Sequence, residues 1–213
     1  EAYDRSAALQ RHDPTDGERL FNRSQAEFWV GFVHWRNGSL SDAREWMTRY
    51  RDSALELVAR DPSRNDWLEE VAYGHHNLAV LNQDSGNLQS AVEGFQREIE
   101  IWDTLLARSD GSSRIKRDRA DALSYLGNVA VMQGDLLTAL EYYQQNADVI
   151  RGLLQKDQGD ARWLNDLAFA VQLLAETSAL TGDLDTASVY VEEASALFES
   201  LVARDASNRN WLR

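Results

Sequence analysis

Cysteine is absent from this sequence of 213 residues, and proline occurs only twice, at Pro14 and Pro62. The absence of cysteine excludes disulfides, thiolate metal ligands and cysteine nucleophiles. The scarcity of proline permits long helices along almost the whole chain. No apolar run approaches the ~18 residues that a membrane-spanning helix needs, and no signal peptide is visible. We therefore expect no membrane insertion.

Positive charge is also scarce. The chain has 22 Lys and Arg against 35 Asp and Glu, a net charge of −13. This balance argues against binding to nucleic acid or to an anionic membrane surface, because both need cations on the protein. Basic or weakly charged proteins and peptides stay open as partners. We expect a cytoplasmic location, or a periplasmic one if a targeting segment has been removed.

Catalytic signatures are missing too. The sequence contains no HExxH pair, no glycine-rich phosphate loop, no nucleophile elbow and no paired-carboxylate motif. Acidic residues are frequent, but charges that are spread along helices are typical of a solvated surface. We expect a protein that is not an enzyme and that uses no cofactor and no metal.

The chain does contain a repeat. Four related hexapeptides begin with glycine, namely GSLSDA at 38–43, GNLQSA at 86–91, GDLLTA at 134–139 and GDLDTA at 182–187. Their spacing is 48 residues each time, without an insertion or a deletion. A fixed period of this size indicates stacked supersecondary units, each of which buries its apolar face on its neighbours.

Each repeat has the pattern of two helices joined by a tight corner. In the third repeat, Leu123, Leu126 and Ala130 form an apolar stripe at helical spacing. Gly134 then ends the helix, because glycine tolerates the left-handed conformation that follows a C-cap. The residue after each corner glycine suits an N-cap, whose side-chain oxygen can accept from free amides of the second helix. These residues are Ser39, Asn87, Asp135 and Asp183, and the equivalent caps of first helices are Asp16, Ser112, Asp160 and Asn208.

Small and aromatic residues recur with the same 48-residue period. The second helices carry Ala43, Ala91, Ala139 and Ala187, and the first helices carry Gly31, Ala79, Gly127 and Ala175 at one predicted crossing point. A bulkier side chain after the corner would overpack the helix pair at a cost of roughly 1–3 kcal/mol. A further series contains Trp67, Trp163 and Trp211, with Ile115 in the gap. The strict period of these tryptophans indicates a packing role.

The stretch LSYLGNVAVMQGDLLTALEYY (123–143) has a Leu-Gly pair, a turn glycine, a following alanine and an aromatic residue on the second helix. These features resemble the tetratricopeptide repeat (TPR) family. The usual repeat of that family has ~34 residues, so this chain resembles the long-helix bacterial variety, whose units end in a DPxNxxW link. The resemblance covers the whole chain and implies an all-α fold, a right-handed solenoid of antiparallel helix pairs.

The period also predicts the organisation of the chain. We expect one solenoid over 1–213, with repeats at about 16–60, 64–108, 112–156 and 160–204. Residues 1–12 would be the end of a preceding helix, and 208–213 the start of a further one. The chain is therefore expected to be a fragment of a longer protein.

In the TPR family the first helix of each repeat lines a concave groove that receives a peptide or a partner's helix. Carried over position by position, the resemblance implies a groove formed by Phe28, Phe32, Trp35, Tyr73, His76, Val80, Gln83, Asp121, Ser124, Asn128, Phe169, Gln172 and Glu176. The first three lie at i, i+4 and i+7, on one stripe of a helix. They would anchor a partner side chain, or they would pack against a preceding repeat or inside the core. The sequence leaves both interpretations open.

Two polar features depart from the pattern. Glu27, His34, His75 and Asn82 replace Leu123, Ala130, Val171 and Ser178 of the later repeats. They would form a cluster that senses protons or a metal, or more simply a hydrogen-bonded network or a packed surface. The basic stretch SRIKRDR (113–119) would receive an acidic segment of a partner, or it would be solvated or pair with acids of neighbouring helices, which we favour.

The resemblance implies a non-catalytic module for protein–protein interaction, acting as a scaffold or a sensor in a larger bacterial signalling or regulatory protein. The alternative is a self-associating or spacer domain that packs against itself or against an effector domain.

Overall fold

The computed structural model describes residues 2–109 and 111–204. These residues form nine helices and no strand, which confirms the predicted all-α class. The helices are α1 (Ala2–His12), α2 (Gly17–Arg36), α3 (Leu40–Arg60), α4 (Asn65–Asp84), α5 (Leu88–Arg108), α6 (Ser113–Gln133), α7 (Leu136–Lys156), α8 (Ala161–Thr181) and α9 (Leu184–Arg204). Starts of successive first helices, α2, α4, α6 and α8, are 48 residues apart, and so are those of the second helices.

The corner between the two helices of each pair is made by backbone geometry. Its glycines, at 38, 86, 134 and 182, have φ between 74° and 86°, the left-handed region that other residues rarely adopt. The amide after the glycine donates back into the first helix, as from Asp135 N to Ala130 O at 2.9 Å. This bond closes the corner without help from a side chain.

Side-chain caps follow the prediction only in part. Asp135 accepts from Thr138 N at 3.2 Å, and Asp183 accepts from Thr186 N at 3.1 Å. Ser39 makes no side-chain cap bond, although it occupies the equivalent N-cap position.

The other predicted N-cap residues also differ in whether their side chains make a cap bond. Asn87 and Ser112 make no side-chain cap bond, whereas Asp16 caps α2 and Asp160 caps α8. The predicted cap Asn208 lies outside the described residues. Since the backbone bond already closes the hairpin corner, a capping oxygen there adds stability but is not required.

The chain divides between residues 110 and 111 into two compact units. In the N-terminal unit (α1–α5), Phe95, Trp102 and Leu105 are fully buried. In the C-terminal unit (α6–α9), Tyr143 and Ile150 belong to a continuous core cluster. Each such fully buried large side chain contributes about 1.5–3 kcal/mol of transfer free energy.

Two of the periodic tryptophans are buried as expected. Trp67 packs with Leu20 and Leu57 in the N-terminal unit, and Trp163 packs in the core cluster of the C-terminal unit. Trp211, the third of the series, lies outside the described residues.

The predicted crossing points are close contacts between helices. A Cβ on Gly127 would lie 2.7 Å from Cδ1 of Tyr143, on the facing second helix. In the second repeat the predicted Ala79 lies at the crossing and a glycine faces it from the other helix, because a Cβ on Gly94 would lie 2.7 Å from the Cβ of Ala79. Each of these crossings therefore requires a glycine on one of its two helices.

Candidate protein-interaction surface

The predicted aromatic stripe of α2 is both packed and partly exposed. Phe28, Phe32 and Trp35 are each half-buried, and they pack on a core cluster that includes Leu78 and Leu81 of α4. The ring centroids of Phe28 and Phe32 are 6.1 Å apart, as are those of Phe32 and Trp35. We call these three residues the aromatic row. Its inner faces stabilise the unit, and its outer faces form part of the surface.

Carboxylates flank the aromatic row. Trp35 Nε1 donates to Asp84 Oδ2 at 2.8 Å. Near the other end, the ring of Tyr50 lies 5.6 Å from that of Phe28, and the Tyr50 hydroxyl donates to Glu70. Burial, together with the nearby Glu70 charge, raises the pKa of Tyr50, so this hydroxyl stays a donor. Carboxylates thus hold Trp35 at one end of the row and Tyr50 beside the other end.

The predicted residues of α4 surround a buried carboxylate on α5. Glu98 is 3% exposed, and its two oxygens contact Nδ1 of His76 at 2.9 Å and Nε1 of Trp102 at 3.0 Å. The Tyr73 ring packs edge-on against Trp102 at 5.3 Å, and the His76 ring packs against Phe95 at 5.8 Å. These contacts fix Tyr73 and His76 as rigid, half-buried groups.

The other two predicted residues of α4 offer less surface. Val80 is buried at 8% exposure, so it supports the helix rather than meeting solvent. Gln83 is half-buried, and its Oε1 atom has no hydrogen-bond partner.

The predicted residues of α6 in the C-terminal unit are polar and half-buried. Asn128 Oδ1 accepts from the Tyr143 hydroxyl at 2.7 Å, and burial, with Glu176 adding to it, raises the pKa of Tyr143 to about 12. Asp121 lies 3.9 Å from Arg117, and Ser124 is half-buried.

The predicted residues of α8 are the most exposed. Phe169 is 49% exposed, and its ring packs edge-on against Phe198 at 5.6 Å. Gln172 donates to Glu176 at 2.8 Å on the surface of the helix. The C-terminal unit therefore presents polar groups and one exposed ring where the N-terminal unit presents several rings.

The four out-of-pattern polar residues do not share one cluster. Ser53 Oγ donates to the buried Glu27 at 2.7 Å, and Arg23 lies 3.2 Å from the same carboxylate. Burial raises the pKa of Glu27 despite these partners. Asn82 instead accepts from Arg44.

The two histidines of that set also stand apart. His34 lies 3.5 Å from Asp42, whereas burial and then the positive charges of Arg51 and Arg97 lower the pKa of His75. Within residues 2–109 and 111–204, no three His, Cys, Asp or Glu side chains are placed to hold a metal ion.

The basic stretch 113–119 pairs with acids, the arrangement that we favoured. Arg114 lies 3.2 Å from Asp118 on the same helix, and Arg117 lies 2.6 Å from Asp166 on α8.

Sequence reasoning missed an exposed apolar surface at α1 and α2. Trp29 is 59% exposed and Val33 is 54% exposed, beside a hollow of about 560 Å³ that Tyr3 of α1 also lines. The 48-residue period could have indicated this surface, because Val33 lies 48 residues before Leu81, which is 1% exposed. At this position of the repeat the apolar side chain is buried in the second repeat, as Leu81, and exposed in the first, as Val33.

Within residues 2–109 and 111–204, no helix combines the length and the hydropathy that a membrane-spanning segment needs.

No protein-family model and no curated protein matches the sequence. Solved structures share its fold. BtubC (BKLC) from P. vanneervenii has a TM-score of 0.66 at 17% identity, over 94% of this chain and 88% of that chain. The nearly identical TPR-like repeats of a putative kinesin light chain from Podosopora anserina have a TM-score of 0.61 at 16% identity, over 97% and 96%. The fold is TPR-like.

A designed protein shares the fold as well. The de novo designed helical repeat protein DHR64 matches with a TM-score of 0.53 at 15% identity, over 87% of this chain and 97% of that chain. The TPR-like fold by itself therefore specifies no ligand, because function depends on particular side chains.

Proposed function

We propose that this chain is a non-catalytic scaffold that binds a peptide or a helix of a partner protein through the first helices of its repeats. TPR-like folds are generally non-catalytic scaffolds, which supports the first part. The observation that carries the second part is the aromatic row, since its rings are fixed by packing and still half-buried rather than covered. Preorganised aromatic side chains are the usual hot spots of binding.

The groups around the aromatic row favour a partner with basic and large apolar side chains. Asp84 is exposed beside Trp35, and Glu70 lies beside Tyr50 near Phe28. A lysine or arginine that reaches such a site gains both an ion pair and a cation–π contact of roughly 0.5–1 kcal/mol at an exposed ring. The net charge of −13 adds long-range attraction for the same kind of partner.

The proposal extends to a sensing role within a larger bacterial regulatory protein. Only the resemblance of the repeats to the TPR family supports this wider context.

Selection from a random peptide library displayed on phage tests the binding role, with the purified chain as bait. We expect enriched peptides to combine lysine or arginine with large apolar residues. Phe32→Leu keeps apolar volume under the row but removes the ring face, so it should weaken these peptides roughly tenfold. Asp84→Asn keeps an acceptor for Trp35 but removes the charge, so it should reduce the salt dependence of binding.

Two matched variants serve as controls. Leu137→Ala changes an exposed apolar residue of α7, and Asp185→Asn changes an exposed carboxylate of α9. Both should leave peptide affinity unchanged. The proposal fails if no peptide is enriched, or if the enriched peptides bind Phe32→Leu and Asp84→Asn as tightly as the original chain.

A further inference from the structure

The apolar surface at α1 and α2 adjoins the aromatic row, because the Trp29 ring packs edge-on against Phe28 at 5.2 Å and against Phe32 at 5.9 Å. It consists of Tyr3 on α1 and of Ala26, Trp29, Val30 and Val33 on α2, around the hollow of about 560 Å³. We call these five residues the end face. Trp29 stands out from it with 59% of its surface exposed.

Equivalent positions of other first helices are covered. Val33 corresponds to Leu81 in α4 and to Thr177 in α8, which are 1% and 3% exposed. Leu81 is buried under the aromatic row of α2, within the same unit. The corresponding side of α2 carries apolar residues too, but no described residue covers Trp29 or Val33 to a comparable degree. This side of a first helix therefore has the composition of an interface.

Charge distinguishes the end face from the rest of the molecule. The residues that line the hollow include no Asp, Glu, Lys or Arg, and their only titratable side chains are Tyr3 and His34. The chain as a whole carries a net charge of −13. Two copies repel each other over most of their surfaces, and here they can approach without like charges in direct contact.

We propose that the end face binds a second copy of this chain about a twofold axis, with Trp29 of each copy in the hollow of the other. A twofold interface uses the same patch on both copies, so the patch must fit itself. The end face meets this condition, because a protruding indole and an uncharged apolar hollow lie side by side on one surface. Tryptophan is also among the commonest anchors of interfaces. This dimer goes beyond the proposed scaffold role, because the end face makes its contacts while the aromatic row only supports Trp29 from within the same copy.

Sedimentation velocity of the purified chain at increasing concentration is the first test. We expect a monomer–dimer equilibrium that Val33→Glu and Val33→Lys both weaken at least tenfold, because either charge would be desolvated in the interface. Equal loss with both signs separates desolvation from a change in net charge. Leu137→Glu alters an exposed leucine of the other unit and should leave the equilibrium unchanged. Circular dichroism of each variant should show unchanged helix content.

The absence of cysteine allows a second test, of symmetry. Single variants Asn22→Cys, Ala26→Cys and Val33→Cys can form a disulfide only between two copies. Near a twofold axis a residue meets its own counterpart, so at least one of the three should cross-link much faster than Leu137→Cys. A chain that stays monomeric at every concentration overturns the proposal. So does a dimer that survives Val33→Glu, or one that none of the three cysteines cross-links.

Discussion

Replacing Gly127 with alanine should destabilise the C-terminal unit, whereas the equivalent change at Gly31 should not. The reason lies in the residue opposite. A Cβ at 127 would lie 2.7 Å from Cδ1 and 2.8 Å from Cζ of Tyr143, a ring that is 2% exposed. A Cβ at 31 would lie 3.2 Å from the flexible end of Met47.

The expected magnitudes follow from two opposing effects. Alanine is favoured over glycine inside a helix by about 1 kcal/mol, and this gain applies at both positions. Overpacking costs roughly 1–3 kcal/mol, and the upper end applies at Gly127 because the Tyr143 hydroxyl is also held by Asn128 at 2.7 Å. We therefore expect Gly127→Ala to lose about 2 kcal/mol net and Gly31→Ala to gain up to about 1 kcal/mol.

Urea unfolding followed by far-ultraviolet circular dichroism measures both variants, and thermal melts give a second estimate. A difference of about 3 kcal/mol between the two variants corresponds to about 6–12 °C in Tm for a chain of this length. The double variant Gly127→Ala with Tyr143→Leu should recover part of the loss, with a coupling energy of at least about 1 kcal/mol. Equal stability of the two single variants would refute the reasoning.

Three further expectations concern caps and titrating groups. Asp135→Ala should cost about 1 kcal/mol in urea unfolding and Asn87→Ala only a few tenths, since only the aspartate makes a side-chain cap bond. A similar loss for both would contradict the assignment. Because burial raises the pKa of Glu27, its contribution to the free energy of unfolding is lost as pH rises through the folded pKa. The stability of Glu27→Gln relative to the original chain should therefore increase with pH from about 4.5 upward, and a flat difference would count against a raised pKa. In proton NMR titrations His75 should lose its proton at a lower pH than an ordinary histidine, and Arg51→Gln should raise its pKa by removing a nearby positive charge. An unchanged midpoint would reject that cause.

The period made most of the helical organisation predictable. Glycine at each corner has a local conformational reason, so the helix starts at Leu40, Leu88, Leu136 and Leu184 follow directly from the sequence. The sequence predicted which residues occupy the N-cap positions, but not which of them make a side-chain cap bond. Whether Ser39 or Asp135 makes a bond depends on the rotamer of the side chain, which the pattern does not contain.

The interaction surface was less predictable, because its properties depend on residues far along the chain. The sequence placed Phe28 and Trp35 on one stripe but could not show that α4 covers half of each ring. The partner of His76 is Glu98, which is 22 residues away on another helix. The exposure of Trp29 was not predictable either, because it depends on which helices cover the adjoining stripe of α2.

The four corner glycines have a consequence for engineering and for evolution. A Cβ built on Gly38, Gly86, Gly134 or Gly182 would meet no atom within 4 Å. These corners thus face open space, and glycine is needed there only because of the positive φ. A loop inserted there would begin where no side chain is packed, and it would replace the backbone bond that closes the corner. Each corner is accordingly a place where a reporter domain or a new recognition segment can be grafted onto the helices.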